Sequence, residues 1–117
     1  MSVVLRRIYE EDEILGGHRV LIDRVWPRGI SKEAAHLDEW IKEIAPSSSL
    51  RKWFNHDPDK FQTFKESYQR EINENSEASH KLNELKEIAS DSRVVLLFGA
   101  KDKEHNHAVV LKEMIEK

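Results

Sequence analysis

The stretch "RVVLLFGA", residues 93–100, decides the fold class because it is apolar almost from end to end. A run of this kind is typical of a parallel strand that is covered on both faces. A second run, "RVLIDRVW" (19–26), is apolar except for Arg19 and the pair Asp23 and Arg24. More than 60 residues of mainly helical pattern separate the two runs. This spacing predicts a crossover between parallel strands and therefore an α/β fold.

The remaining elements follow from periodicity and capping signals. The run "VVLRRIY" (3–9) predicts a first strand, and its short connection to the second strand fits either a hairpin or a tight crossover. Helices are predicted over 32–45, 47–54, from Asp57-Pro58 onward, from a cap at Ser76, and over 105–117. In the first of these, Leu37, Trp40, Ile41 and Ile44 share one helix face. The sequence thus predicts one α/β domain over 1–117, with a small, mainly parallel three-stranded sheet and about four to five helices.

Composition excludes several classes of function. The chain has 117 residues, a net charge of −3, a pI of about 6.1 and no cysteine. Disulfides, thiolate catalysis and cysteine-ligated zinc are therefore excluded, and a general basic coat for nucleic acid is disfavoured. No apolar run reaches the ~20 residues of a membrane span, and the N-terminus lacks the order of a signal peptide. We expect a cytoplasmic protein with no membrane partner.

Charged residues follow both predicted strands at the edge where α/β proteins bind ligands. The second strand carries Asp23 and Arg24 near its end and is followed by Arg28, and Lys101 and Asp102 follow the third strand. The third strand then leads into a helix, whose N-terminus favours an anion. We expect Arg24, Arg28 and Lys101 to bind a phosphate or carboxylate there. Asp23 would orient Arg24, position a hydroxyl or act as a base. The structural alternatives are that Asp23 caps a loop, Arg24 braces a helix and Asp102 is a plain N-cap.

Other side chains complete this predicted site. His107 is a candidate acid or base near Lys101, and Asn106 is a candidate ligand. Lys52 in "RKWFNHDP" is a candidate phosphate contact, and Trp26 is a candidate pocket wall. His105 and His107 are two apart, so they do not share a helix face, and no metal site is predicted. The absence of a glycine-rich phosphate loop argues against a nicotinamide or ATP cofactor.

Three motifs resemble one bacterial family. "RVLIDRVWPRGISKE", "LDEWIKEIAPSSSLRKWFNHDP" and "LLFGAKDKEHNHAVVL" resemble, in order and spacing, the YeaO-like branch of the domain-of-unknown-function family 488. The resemblance implies a compact α/β domain and transfers no activity. Longer relatives carry Asp-Val-Arg after one strand and Cys-His-Arg after the last. These segments correspond here to Asp23, Arg24 and Arg28, and to Asn106 and His107, so asparagine stands in the cysteine position.

Three functions remain open from the sequence. The favoured one is a site for a small anionic molecule, such as a phosphorylated metabolite or nucleotide, with or without hydrolase or transferase chemistry. The second is a non-catalytic nucleotide- or nucleic-acid-binding module that uses Arg28, Arg51, Lys52, Trp53 and Lys101. The third is a protein-interaction domain. A concave site that gathers Asp23, Arg24, Arg28 and Lys101 favours the first, and an open basic face favours the second. The sequence leaves the oligomeric state open.

Overall fold

The computed structural model describes residues 2–117, which form a four-stranded sheet with strand order β1-β4-β2-β3. All of its strand pairs are parallel. The strands are β1 (Ser2–Arg7), β2 (His18–Leu21), β3 (Glu39–Trp40) and β4 (Arg93–Phe98). The parallel pairing predicted for the second and last apolar runs is confirmed, whereas the prediction of three strands is wrong, because β3 was missed. Since β4 lies between β1 and β2, the first connection is not a hairpin.

Five α-helices accompany the sheet within the described residues. They are α1 (Lys32–Ala35), α2 (Ser48–Phe54), α3 (Phe61–Glu74), α4 (Ser76–Asp91) and α5 (His107–Glu116). Short 3₁₀ helices cover Ile8–Glu10, Lys42–Ile44 and Pro58–Lys60. Asp57 caps the last of these and Pro58 is its first residue, as predicted, and α3 follows without a break. This helical count agrees with the four to five helices expected.

The central strand β4 explains why its sequence is apolar throughout. Val94, Leu96 and Phe98 pack into the large cluster formed with α2 to α5, whereas Val95 and Leu97 face a smaller cluster on the other side of the sheet. That smaller cluster contains Ile8, Leu21 and Ala35, with Trp26, Leu37 and Trp40 against it. Both faces are therefore covered, as a continuous apolar strand requires.

The predicted helix over 32–45 is wrong beyond its first turn. Helix α1 ends at Ala35, and His36 takes a left-handed conformation with φ of 50°. The chain then runs beside β2: the Asp38 amide donates to the Arg19 carbonyl at 2.8 Å, and the Ile41 amide donates to that of Leu21 at 3.0 Å. The apolar residues of this segment do have helical spacing. However, the backbone groups at the edge of β2 need hydrogen-bond partners, and a strand can supply them whereas a helix cannot.

Several predicted boundaries also differ, including that of the last helix, which begins at His107 and not at 105. The first strand ends at Arg7, and β2 ends at Leu21 and not at 26. Asn75, not Ser76, caps α4, because its side chain accepts a hydrogen bond from the Ala78 amide.

Buried charge in the smaller cluster comes from Arg19 of β2, which the sequence analysis did not single out. Its guanidinium donates to both carboxylate oxygens of Glu11, at 3.0 and 2.6 Å, and both side chains are only 5% exposed. Further hydrogen bonds reach the carbonyls of Leu15, Ala35 and His36. Burial alone raises the pKa of Glu11, but hydrogen bonds and charge from Arg19 outweigh it, so this pKa lies below its ordinary value.

Candidate functional site

A cavity of about 460 Å³ lies beyond the carboxyl ends of β2 and β4. Helix α2 contributes one wall, and the loop into α5 contributes another. Both helices pack against α3, whose Phe64 lies in the floor. The lining residues are Asp23, Arg24, Val25, Ala45, Pro46, Ser48, Arg51, Lys52, Phe54, Asn55, His56, Phe64, Ala100, His105, Asn106 and His107. This is the edge at which ligands bind in open α/β sheets.

Asp23 is held where β2 leaves the sheet. Its Oδ2 accepts a hydrogen bond from the Gly99 amide at 2.9 Å, so it joins the ends of β2 and β4. Its carbonyl accepts from the Trp40 indole at 2.8 Å. A Cβ at Gly99 would lie 3.1 Å from Oδ2, so a glycine at this position leaves room for the carboxylate. Because β2 has already ended, Asp23 and Arg24 are free of strand alternation, and both line the cavity.

His107, the first residue of α5, lies against this carboxylate. Its Nε2 is 2.8 Å from Oδ1 of Asp23. The two groups are not aligned for a hydrogen bond, and neither atom has another partner within residues 2–117, although both are shielded from solvent. The structure therefore brings the two predicted acid–base residues together.

Asn106 and Asp102 organise the loop that enters α5. Asn106 is buried, and its Oδ1 caps the helix by accepting from the Val109 amide at 3.1 Å. Its Nδ2 donates to the Asp102 carbonyl at 2.8 Å, so both ends of the amide are engaged. Asp102 caps the preceding turn, and hydrogen bonds from the Glu104 amide and then the His105 ring lower the pKa of its carboxyl. Asn106 therefore has a structural task at the start of α5.

One face of α2 lines the cavity with polar and cationic residues. Ser48, Arg51, Lys52 and Asn55 follow the spacing i, i+3, i+4, i+7 and all lie in the cavity wall. An adjacent side of the helix carries Phe54, which also lines the cavity and whose ring stacks on Phe64 with centroids 4.2 Å apart. The polar face of this helix thus borders a cleft and not only bulk solvent.

The cations of the cavity have no carboxylate partners. Within residues 2–117, Arg24, Arg51 and Lys52 make no ion pair, although other cations of the chain do. Arg24 donates to the Ala45 carbonyl at 3.1 Å, so it also braces the segment before α2, and Arg51 donates to the Ser48 hydroxyl at 3.1 Å. Most of the charge on this wall is thus available to a ligand.

The turn after α2 carries an unusual backbone. Asn55 and His56, consecutive in the chain, have positive φ values of 46° and 56°. A left-handed conformation costs a non-glycine residue about 1–2 kcal/mol, with asparagine the better tolerated of the two. Both residues line the cavity. Such strain clusters at functional sites and gives an independent reason to examine this wall.

Some predicted site residues lie elsewhere. Arg28, Lys101 and Asp102 do not line the cavity, because the loop after β2 and the turn after β4 carry them outward. Trp26 lies in the smaller cluster on the other face of the sheet, with its ring 5.2 Å from that of Trp40 and its indole bonded to the Ile30 carbonyl. Of the predicted set, the structure gathers Asp23, Arg24, Lys52, Asn106 and His107.

The prediction had not assigned Arg51, His56 and His105 to this site. The signal for Arg51 was present in the helical spacing of 48, 51, 52 and 55. No comparable signal identifies His56 or His105, because loop paths bring them to the cavity. Among residues 2–117, no group of three histidine or acidic side chains is arranged to hold a metal ion. In the same residues, no helix has the length and hydropathy needed to cross a membrane.

These features define an α/β protein with a cationic cleft at the carboxyl edge of a parallel sheet. Residues 2–117 match the model of the family DUF488-N3i, described as the inactive DUF488-N3 subclade, and the chain belongs to this family. This confirms the resemblance drawn from the sequence motifs.

Similar proteins carry no assigned role. The chain is 39% identical over 115 residues to the uncharacterized protein YeaO of Escherichia coli K12. The matched region covers 98% of this chain and 97% of YeaO. It is 35% identical over 113 residues to the uncharacterized protein Rv3073c of Mycobacterium tuberculosis H37Rv. The matched region covers 97% of this chain and 92% of Rv3073c. No solved structure shows significant similarity to the chain.

Proposed function

We propose that the protein binds a small anionic ligand in the cleft between α2 and the start of α5. The observation that carries the proposal is the set of three cations, Arg24, Arg51 and Lys52, which line one concave cavity without a carboxylate partner in residues 2–117. Guanidinium and ammonium groups are the usual ligands of phosphate and carboxylate. The family's designation as inactive favours binding alone over hydrolase or transferase chemistry.

The shape of the site favours a small molecule over nucleic acid. Its cations border a cavity of about 460 Å³, a size typical of small-molecule sites. Arg28 and Lys101, which a continuous basic face would have included, lie outside the cavity.

The proposed anion position differs from the one that the sequence suggested. Asn106 already caps α5, and the Asp23 carboxylate lies against the first residue of that helix. A second anion at this point would meet a like charge and an engaged helix end. The ligand's charge is therefore expected against α2, where Arg51 and Lys52 are exposed.

The test is a titration of the ¹⁵N-labelled protein with inorganic phosphate at low ionic strength. We expect amide shifts in 48–56 and a weak affinity, in the millimolar range. Lys52→Ala and Arg51→Ala should each weaken binding by about tenfold, or about 1.4 kcal/mol. The matched controls Lys101→Ala and Arg28→Ala should leave the affinity unchanged. Loss of binding only in these two controls would place the anion before α5, and no binding at tens of millimolar would refute the proposed function.

A further inference from the structure

The charges of the cleft are distributed unevenly. Arg51 and Lys52 lie on the α2 wall, whereas the carboxylate of Asp23 is tied to Gly99 and His107 at the sheet edge. An anion is attracted to the first wall and repelled by Asp23. A ligand that fills the whole cleft must therefore be anionic at the α2 end and carry no negative charge at the Asp23 end.

The Asp23 end has unused hydrogen-bonding capacity. Oδ1 of Asp23 faces Nε2 of His107 at 2.8 Å and is shielded from solvent, but the Asp23 side chain as a whole is 21% exposed and lines the cavity. Its other oxygen, Oδ2, accepts from the Gly99 amide and retains a second acceptor position. A carboxylate can accept a hydrogen bond from a hydroxyl group. A phosphate oxygen is itself mainly an acceptor, so it cannot donate one to the carboxylate. The chemistry of this end therefore suits a hydroxyl-bearing group.

The floor between the two ends is apolar. Phe54 and Phe64 are only 5% and 2% exposed, and Ala45 and Pro46 are also buried. Val25, which is 67% exposed, adds a further apolar side chain to the lining of the cavity. Free phosphate would leave this surface and most of the cavity volume without contact.

From these three features we infer that the ligand is an organic monophosphate with a hydroxyl-bearing body. The phosphate lies against Arg51 and Lys52, the body covers Phe54 and Phe64, and a hydroxyl donates to Asp23. A sugar phosphate and a nucleoside monophosphate share this chemistry. The inference rests on the proposed function, since it requires that the cleft binds an anion.

The test compares four probes by isothermal titration calorimetry at pH 7: inorganic phosphate, ribose 5-phosphate, adenosine 5′-monophosphate and adenosine. At least one of the two monophosphates should bind ten times more tightly than inorganic phosphate, and adenosine should bind ten times more weakly than its monophosphate. Tighter binding of ribose 5-phosphate identifies the ligand as a sugar phosphate, and tighter binding of adenosine 5′-monophosphate identifies it as a nucleotide.

The outcomes separate the two proposals. Equal affinity for phosphate and both monophosphates overturns this inference and leaves the proposed function standing. Adenosine binding as tightly as its monophosphate, or no binding of any probe, overturns both.

A charge-neutral variant tests the orientation of the ligand. Asp23→Asn keeps an oxygen that can accept from the Gly99 amide and removes the negative charge. It should raise the affinity for inorganic phosphate severalfold but reduce the preference for the monophosphates over phosphate by about fivefold or more. The control Asp91→Asn, at an exposed site outside the cavity, should change neither value. If Asp23→Asn leaves the preference for the monophosphates over phosphate unchanged, the assigned orientation is overturned. Lys52→Ala supplies a second test, because it should weaken the binding of all phosphate-bearing probes.

Discussion

His56 stands in the wall of the cleft with a φ of 56°, directly after Asn55 at 46°. Histidine meets a steric penalty in this left-handed conformation, whereas glycine adopts it without one. A residue that keeps a strained backbone at a cavity is expected to serve the ligand and not the fold. His36 offers a matched comparison, because it is left-handed at 50° but lies outside the cavity.

We predict that His56→Gly raises the free energy of unfolding by up to about 1 kcal/mol, because relief of left-handed strain exceeds the added entropy of the unfolded chain. The same change should weaken phosphate binding severalfold through loss of the imidazole. Urea unfolding and phosphate titration measure the two effects.

The matched variant His36→Gly should gain similar stability with unchanged phosphate affinity. Equal binding by both variants would show that His56 has no part in the site.

At the scale of elements, the start of α4 shows how one cap decides a helix boundary. The Asn75 side chain accepts from the Ala78 amide at 3.0 Å, and the Asn75 carbonyl accepts from the Ser79 amide. Ser76 is already inside the helix and exposed. Both residue types are good caps, so local sequence alone does not separate them.

We predict that Asn75→Ala lowers the free energy of unfolding by about 1 kcal/mol, the usual cost of losing a cap. Ser76→Ala should change it by less than about 0.5 kcal/mol, as at an ordinary surface position. Urea denaturation of both variants at pH 7 measures the difference. A larger loss in Ser76→Ala than in Asn75→Ala would contradict the assignment of the cap.

At the scale of the whole molecule, Arg19 joins the segments that come before and after β2 in the chain. It ties β2 to Glu11 and Leu15 before it and to Ala35 and His36 after it. This network closes the face of the sheet that the longer helices do not cover. Removal of one member of a buried ion pair leaves an uncompensated charge and typically costs about 3–5 kcal/mol.

The lowered pKa of Glu11 determines the sign of a pH effect. A carboxyl whose folded pKa lies below its unfolded value stabilises the fold above that unfolded value, near 4.5, and this contribution is lost as pH falls through the folded pKa. We predict that Glu11→Gln lowers stability at pH 7 by about 3 kcal/mol and that its difference from the wild type shrinks below about pH 4.5. Urea unfolding between pH 3 and 7 measures both.

The control Glu33→Gln, at an exposed residue of α1 with no ion pair within residues 2–117, should follow the wild type at every pH. A constant difference between Glu11→Gln and the wild type over the whole pH range would contradict the role assigned to the ion pair.

The sequence by itself determined the parallel pairing of β2 and β4 and the meeting of Asp23 and His107 at one edge of the sheet. The apolar run at 93–98 needs cover on both faces, and a long helical crossover makes it parallel to β2. From that geometry Asp23 and His107 were expected at one edge, and their atoms lie 2.8 Å apart. These features follow from periodicity and chain order, which are local properties of the sequence.

Only the tertiary structure decided that β3 forms and which residues line the cavity. The apolar spacing at 37–44 fits a helix, but the edge of β2 and the buried Arg19 network hold this segment extended. Arg28 and Lys101 lie outside the cleft while Arg51 lies in its wall, because the paths of loops and the packing of α2 against α3 place them. Such placements depend on contacts between distant residues, so local patterns alone do not determine them.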